Sequence, residues 1–264
     1  KLFIKMLFIN TRPQDRAESL SHALRMAHID VLDLPLLELL AKPWSAPLSW
    51  LYEQLSTAEV IVVVSPTAVE IGMDYLKQST FGLDDLRHIQ WIAVGEKTAE
   101  TLARYGIKAS VPLVETSEGM LQLPVLDGLH AGTVIAFWRG EGGRVFMMDQ
   151  LKQQGMKILN FILYLRQCPL LTTQNFAQTA ALLQQQKNYV MVLSSEASWL
   201  NWLQLMQNFP TLMAKGHYLL LGERLYQIVL NYKKSQGSCF NIARLTDLKT
   251  ESILQQIAIV QGNT

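Results

Sequence analysis

Blocks of consecutive apolar residues alternate along this chain with stretches whose apolar positions recur at helical spacing. "MLFIN" (6–10) leads into "RAESLSHALRMAH" and then "IDVLDLPLL". "EVIVVVS" (59–65) leads into "PTAVEIGMDYLKQ", and "IQWIAVG" (89–95) into "EKTAETLARYG" and "IKASVP". The second half keeps the same beat. "GTVIAFWRG" (132–140) leads into "GRVFMMDQLKQQG" and "MKILNFILY", "YVMVLSS" (189–195) into "EASWLNWLQLM", and "HYLLLG" (217–222) into "ERLYQIVLNYKK" and "CFNIAR". Runs such as "VIVVV", apolar at every position, suit a parallel sheet covered on both faces. Their alternation with helical stretches predicts βαβ units.

The ends of these predicted strands carry Arg, Ser and Gly in a recurring order. Arg12 to Ser65 spans 53 positions and Arg139 to Ser194 spans 55; Ser65 to Gly95 spans 30 and Ser194 to Gly222 spans 28. The matching residue types at matching intervals point to an internal duplication. Doubly wound units bind ligands at the carboxyl ends of their strands. Here those ends read "NTR", "VSPT", "AVGEKT", "WRGEGGR", "LSSE" and "LGER". Such loops offer helix N-termini to a carboxylate or phosphate. Thr11, Ser65 and Ser194 taken singly are also ordinary helix caps. "LLAKPWSAPLSW", with Pro43 and Pro47, and "LRQCPLLTTQ" (165–174) interrupt the rhythm, and "LDGLHAG" (126–132) marks a third place where the chain could divide.

Composition narrows the classes. Of 264 residues 49% are hydrophobic and 17% charged, enough apolar material for a sizeable core. The formal net charge of +1 argues against a surface built to attract nucleic acid. Cys168 and Cys239 lie far apart, which excludes a disulfide framework and fits a reducing, cytoplasmic compartment. The five histidines form no metal-binding spacing, so no metal is expected. No apolar run reaches the roughly 18 residues of a membrane span, and "KLFIKMLFIN" is too short for a signal peptide. Met6 reads as a natural start preceded by leftover or alternative residues.

Strong catalytic motifs are missing. There is no G-x-S-x-G elbow, no Gly-Lys-Ser/Thr phosphate loop and no G-x-G-x-x-G fingerprint; Gly95 is followed directly by Glu96. "RGEGGR" (139–144) sets a glycine turn between two arginines suited to carboxylates. Tyr164 closes an apolar strand, so its ring can pack while its hydroxyl faces a cleft. A phenol keeps its proton near neutrality and can donate it.

"NTRP", "SPTAVE", "AVGEKTAETL", "SEGML" (117–121), "RGEGGR" and "LYLRQ", in this order across essentially the whole chain, resemble the uroporphyrinogen-III synthase family. The resemblance implies an α/β fold of two Rossmann-like domains with doubly wound, mostly parallel sheets, joined by a two-stranded linker. Residues 1–38 and 171–264 would form a discontinuous first domain and 39–170 the second, with the two Pro-containing interruptions as linkers. It implies Tyr164 as the acid candidate and Thr98 as a residue facing substrate. Arg12, Ser65, Thr67, Gly95, Ser117, Arg139, Ser194, Ser195 and Gly222 carry over as substrate-binding positions. Leu225 stands where family members often have threonine, a departure from the pattern.

The substrate so implied is hydroxymethylbilane, a linear tetrapyrrole with eight carboxylate arms. The family's reaction expels its terminal hydroxyl as water and closes the ring through a spiro intermediate that reverses ring D. Departure of the hydroxyl is easy, so a modest acid suffices. Holding a flexible polyanion with the disfavoured carbon nearest is the harder task. The resemblance implies no cofactor and a transient contact with the preceding pathway enzyme. The lack of an exposed apolar helix predicts a monomer, and charge and hydropathy predict no nucleic-acid or membrane partner. Two competing readings are a non-catalytic two-domain binder of small anions and a nucleotide-dependent Rossmann enzyme. The second lacks the glycine fingerprint.

Overall fold

The computed structural model describes residues 6–262. Residues 1–5, on which the reading of Met6 as a start rests, lie outside the described residues. In chain order the elements are β1 (Leu7–Asn10), α1 (Gln14–Met26), β2 (Asp30–Asp33), β3 (Glu38–Ala41), α2 (Ala46–Gln54), β4 (Val60–Val63), α3 (Pro66–Gln78), β5 (Gln90–Ala93) and α4 (Glu96–Ala103). There follow β6 (Ala109–Ser110), α5 (Ser117–Leu121), β7 (Val134–Gly140), α6 (Phe146–Gln153), β8 (Lys157–Gln167), α7 (Leu170–Gln174) and α8 (Phe176–Gln185). The chain continues with β9 (Tyr189–Leu193), α9 (Glu196–Met206), α10 (Pro210–Ala214), β10 (Gly216–Leu221), α11 (Gly222–Gln236), β11 (Asn241–Leu245) and α12 (Thr250–Gly262).

Two compact units result. One runs up to Glu38 and resumes at Gln167; the other is Leu39–Arg166. The first unit holds a sheet of order β11-β10-β9-β1-β2, the second a sheet of order β3-β8-β7-β4-β5-β6. Pairings from β1 to β2, β9 to β1, β10 and β11 to their neighbours, and β4 through β8 are all parallel. The fold is therefore the mixed α/β, mostly parallel arrangement that the alternation predicts.

Residue periodicity explains why both faces are covered. In the second unit Ile61, Val63, Ala93 and Trp138 pack in one cluster, while Val60, Val62, Ile92 and Phe137 pack in another. In the first unit Ile9, Met191, Leu193 and Leu220 share one cluster, and Phe8, Val190, Val192 and Leu219 share the other. Successive strand residues point to opposite faces, so an unbroken apolar run is what a double-sided core requires.

Local signals start and stop the helices. Ser65 caps α3 by accepting the Ala68 N–H, with Pro66 in the first turn. Ser195, not the expected Ser194, does the same for α9 through the Ser198 N–H. Thr11 caps no helix, since Pro13 holds the cap position of α1 without a side-chain bond. Gly237 ends α11 in the left-handed conformation at φ 61°, where a side chain is disfavoured. One expectation needs correcting: "KPWSAPLSW" is not only an interruption but holds the start of α2. Pro47 sits in its first turn, where a missing N–H costs nothing. Likewise 165–174 holds the end of β8 and the short α7. Among the described residues no helix is long and apolar enough to cross a membrane.

The two sheets share one plan. In the second unit the chain runs β4, β5, β6 outward in one direction and β7, β8 in the other, so the direction reverses between β4 and β7. In the first, β9, β10, β11 run one way and β1, β2 the other, reversing between β1 and β9. The duplication in strand-end residues is thus real at the level of position: Arg12 and Arg139 follow or end β1 and β7, the serines follow β9 and β4, and the glycines follow β10 and β5. Yet each 53- or 55-residue interval joins an arginine of one unit to a serine of the other. The repeats are not sequential halves.

Candidate functional site

The reversal point of the second unit gathers most of the candidate residues. In such sheets the loops diverge there and leave a crevice above the strand ends. Tyr164 lies on β8, Gly140 ends β7, Ser65 follows β4 and Gly95 follows β5. These strands stand side by side in the order β8-β7-β4-β5.

Tyr164 reaches this point through an irregularity. Arg139 pairs with Ile162 but Gly140 pairs with Tyr164, so β8 carries one extra residue. Both Leu163 and Tyr164 consequently join the core cluster that includes Ala68 and Val69 of α3. The ring lies so close to Gly140 that a Cβ there would sit 2.4 Å from a ring carbon. Tyr164 is 1% exposed, and its hydroxyl lies 3.0 Å from Ser65 Oγ. The phenol therefore does not open directly to solvent, as the sequence suggested; Ser65 stands against it. The Arg166 guanidinium lies 5.9 Å from the centroid of the Tyr164 ring.

Arg139 is turned inward. It is 5% exposed, and its guanidinium donates to the Gly143 carbonyl and approaches Met148 Sδ at 3.9 Å. Burial depresses its basicity, the nearby Arg166 adds to this, and Tyr164 opposes it. Arg144 reaches Glu118 on α5 through two bonds of 2.9 and 2.6 Å. Both arginines of "RGEGGR" thus organise their own surroundings; the carboxylate of Arg144 is supplied by the chain.

The Gly95 turn also holds a carboxylate, again the protein's own. Glu96 N–H donates to Glu115 Oε1 at 2.9 Å, and a Cβ on Gly95 would lie 2.3 Å from the Glu115 carboxyl carbon. Gly95 has extended backbone, φ −165°, so close approach rather than conformation demands glycine there. Thr98, three residues on, is 2% exposed and its N–H bonds the Gly95 carbonyl at 3.1 Å. Ser117 is the half-buried first residue of α5, but Thr116 is the cap. Thr67 is half-buried in the first turn of α3.

Arg12, Ser194, Ser195 and Gly222 belong to the first unit, at its own reversal point or next to it. Thr11 Oγ1 donates to the Val192 carbonyl at 2.5 Å, and Arg12 N–H bonds Asn10 Oδ1 at 3.3 Å. Ser195 Oγ lies 2.9 Å from Ser198 Oγ. Gly222 opens α11 at φ 80°, a left-handed start that favours glycine for a different reason than at Gly95. Leu225, the positional counterpart of Thr98, is 5% exposed.

Sequence reasoning missed Glu115 and Arg166, and it missed the role of Gly140. Nothing in "PLVETSEG" announces a carboxylate folded back 19 positions onto a helix start. Glycine ending β7 was a visible signal of close approach. An open hollow of about 630 Å³, lined by Lys233, Lys234 and Asn241, lies at the amino-terminal edge of β11 and includes none of the candidate residues. Among the described residues no group of three or more His, Cys, Asp or Glu side chains comes together as a metal site.

Two doubly wound units, each with a helix-capping serine and a glycine turn at the carboxyl edge of its sheet, define a Rossmann-like α/β protein of duplicated design. The chain belongs to the uroporphyrinogen-III synthase family: the family described as Uroporphyrinogen-III synthase HemD matches residues 18–227. Solved structures agree in fold. A mutant uroporphyrinogen III synthase from the extremely thermophilic bacterium Thermus thermophilus matches with TM-score 0.66 at 14% identity, over 98% of this chain and 100% of that one. Uroporphyrinogen-III synthetase from Helicobacter pylori matches with TM-score 0.61 at 16% identity, over 96% and 99%.

Proposed function

We propose that this chain carries out its family's reaction as a cyclising hydro-lyase, converting hydroxymethylbilane to uroporphyrinogen III and water, with Tyr164 as the source of the proton that the departing hydroxyl takes. The observation that carries the role of Tyr164 is its hydroxyl pairing with Ser65 at the reversal point of a parallel sheet. Gly95, Ser65 and Thr67 offer the amides and hydroxyls of α3 and α4 to substrate carboxylates, and Arg12, Ser194, Ser195 and Gly222 mark the matching edge of the first unit. Ser117, at the start of α5, adds a further hydroxyl for substrate, while Arg139 holds the loop after β7 through the Gly143 carbonyl. The reaction needs no cofactor, because the pyrrole nitrogen itself pushes the hydroxyl out. A cytoplasmic site and direct receipt of substrate from the preceding enzyme go with this reading, since hydroxymethylbilane closes unaided to the type I isomer.

The direct test is incubation with hydroxymethylbilane and separation of the product isomers. Type III product well above the buffer control supports the proposal; a type I product equal to the control rejects it.

Two variants probe binding. Glu115→Ala should free the Glu96 N–H, because a substrate carboxylate must otherwise displace Glu115. A charge at a helix N-terminus contributes about 0.3–1 kcal/mol, so KM should fall roughly two- to fivefold with kcat unchanged. An unchanged or raised KM in a folded variant would make Glu115 a purely structural part of its loop. Thr98→Ala removes a buried hydroxyl beside the Gly95 turn and should act on substrate placement, raising the share of type I product. Unaltered product ratio and rate would take Thr98 out of the site.

A further inference from the structure

Ser65 lies between a helix start and a buried phenol. Its Oγ accepts the Ala68 N–H at 3.1 Å and lies 3.0 Å from the Tyr164 hydroxyl. A serine hydroxyl has two lone pairs and one proton. Ala68 takes one lone pair, so Tyr164 meets either the second lone pair or the proton. Exposure separates the two partners: Tyr164 is almost fully buried, whereas Ser65 is only half-buried at the loop end. Of the two hydroxyls, Ser65 is the outer one. The approach of the phenol depends on Gly140, since a Cβ there would also lie 2.9 Å from the Tyr164 oxygen.

We propose that Ser65 is the group that hands the proton to the departing hydroxyl, with Tyr164 refilling it from behind. The inference rests on the reading of Tyr164 as acid and assigns Ser65 the contact with substrate. In the competent arrangement Tyr164 donates to the second lone pair of Ser65, which leaves the Ser65 proton pointing away from both protein partners. As the terminal C–O bond of the substrate breaks, its electron pair stays on oxygen, which takes the Ser65 proton and leaves as water. Ser65 takes the phenol's proton and then donates back to the phenolate oxygen. The negative charge is met by the Arg166 guanidinium over the ring, and Arg139 lies near enough to feel Tyr164. The pyrrole carbon that finally closes the ring loses its hydrogen as aromaticity returns. That proton restores Tyr164 through Ser65, so no co-reactant is consumed.

The test compares Ser65→Ala, Ser65→Gly, Ser65→Thr, Tyr164→Phe and the Ser65→Gly/Tyr164→Phe double variant by kcat, KM, product isomers and Tm. Glycine is tolerated at N-caps, so Ser65→Gly removes the hydroxyl while sparing α3 if the alanine variant unfolds. Members of one relay are strongly non-additive. The expected result is a roughly 100-fold fall in kcat for each single loss of hydroxyl. The double variant should be no slower than the worse single, and Ser65→Thr should stay within about fivefold of the parent. Losses that multiply in the double variant, or a threonine variant as slow as glycine, overturn the relay. Tyr164→Phe impaired beside a folded, fully active Ser65→Gly also removes the relay but leaves Tyr164 as acid. A fully active Tyr164→Phe removes both.

Discussion

Tyr164→Phe is expected to lower kcat about 100-fold, the lower end of what a positioned general acid supplies. KM should change little, because the ring stays between Gly140 and the α3 side of the core. The variant loses one hydroxyl–hydroxyl bond to Ser65, worth about 1 kcal/mol, so Tm should fall only slightly. Steady-state kinetics with isomer separation checks both halves. Because the bilane closes without help, a slow variant should release more type I product as uncyclised substrate escapes. Parent-like turnover with a normal Tm would take the phenol out of the mechanism.

The largest effect on stability is expected at Trp138. Its side chain is fully buried and meets Trp91 edge-on at 5.4 Å, with Tyr52 at 6.2 Å and Phe161 at 6.4 Å. Gly72 of α3 lies flat against it; a Cβ there would fall 2.3 Å from the indole ring. Trp138→Ala should cost about 3–5 kcal/mol, the sum of lost burial and the cavity left behind. Trp138→Phe should cost much less. Among the described residues the indole N–H has no hydrogen-bond partner, and removing a buried unpaired donor recovers about 1–3 kcal/mol of desolvation that offsets the lost ring area. Denaturant unfolding of the two variants checks the order. If phenylalanine costs as much as alanine, the indole N–H is satisfied in solution.

How much of the site could be read in advance depends on the range of the interaction. Ser65 is legible as a cap because the bond runs from a side chain to an amide three residues on, whereas the cap of α9 falls on Ser195, one residue past the Ser194 that the sequence offered. Gly95 is legible as a turn, but its occupant, Glu115, is not, since the contact depends on where the loop after β6 returns. The arginines of "RGEGGR" look free in the sequence and are engaged in the fold, one with a carbonyl four residues away and one, from the loop before α6, with Glu118 on α5. Tyr164 stood out as the last residue of an apolar run, but β8 continues to Gln167, and the extra residue on β8 that turns the phenol toward Ser65 leaves no mark in the pattern.

β3, α2 and α12 stand outside the alternation of apolar blocks and helical stretches, but that alternation by itself determined the main βαβ units, their parallel pairing and the burial of both sheet faces. These follow from backbone geometry and from side-chain direction, which are local. Only the tertiary structure decided which strands share a sheet. The arginine and serine that lie 53 positions apart in the first half fall in different units, and their structural counterparts are interleaved along the chain. Strand pairing releases free energy between segments distant in sequence, and many pairings satisfy the same apolar pattern. The choice among them, and with it the meeting of Tyr164 with Ser65 over 99 positions, is made by how whole faces pack.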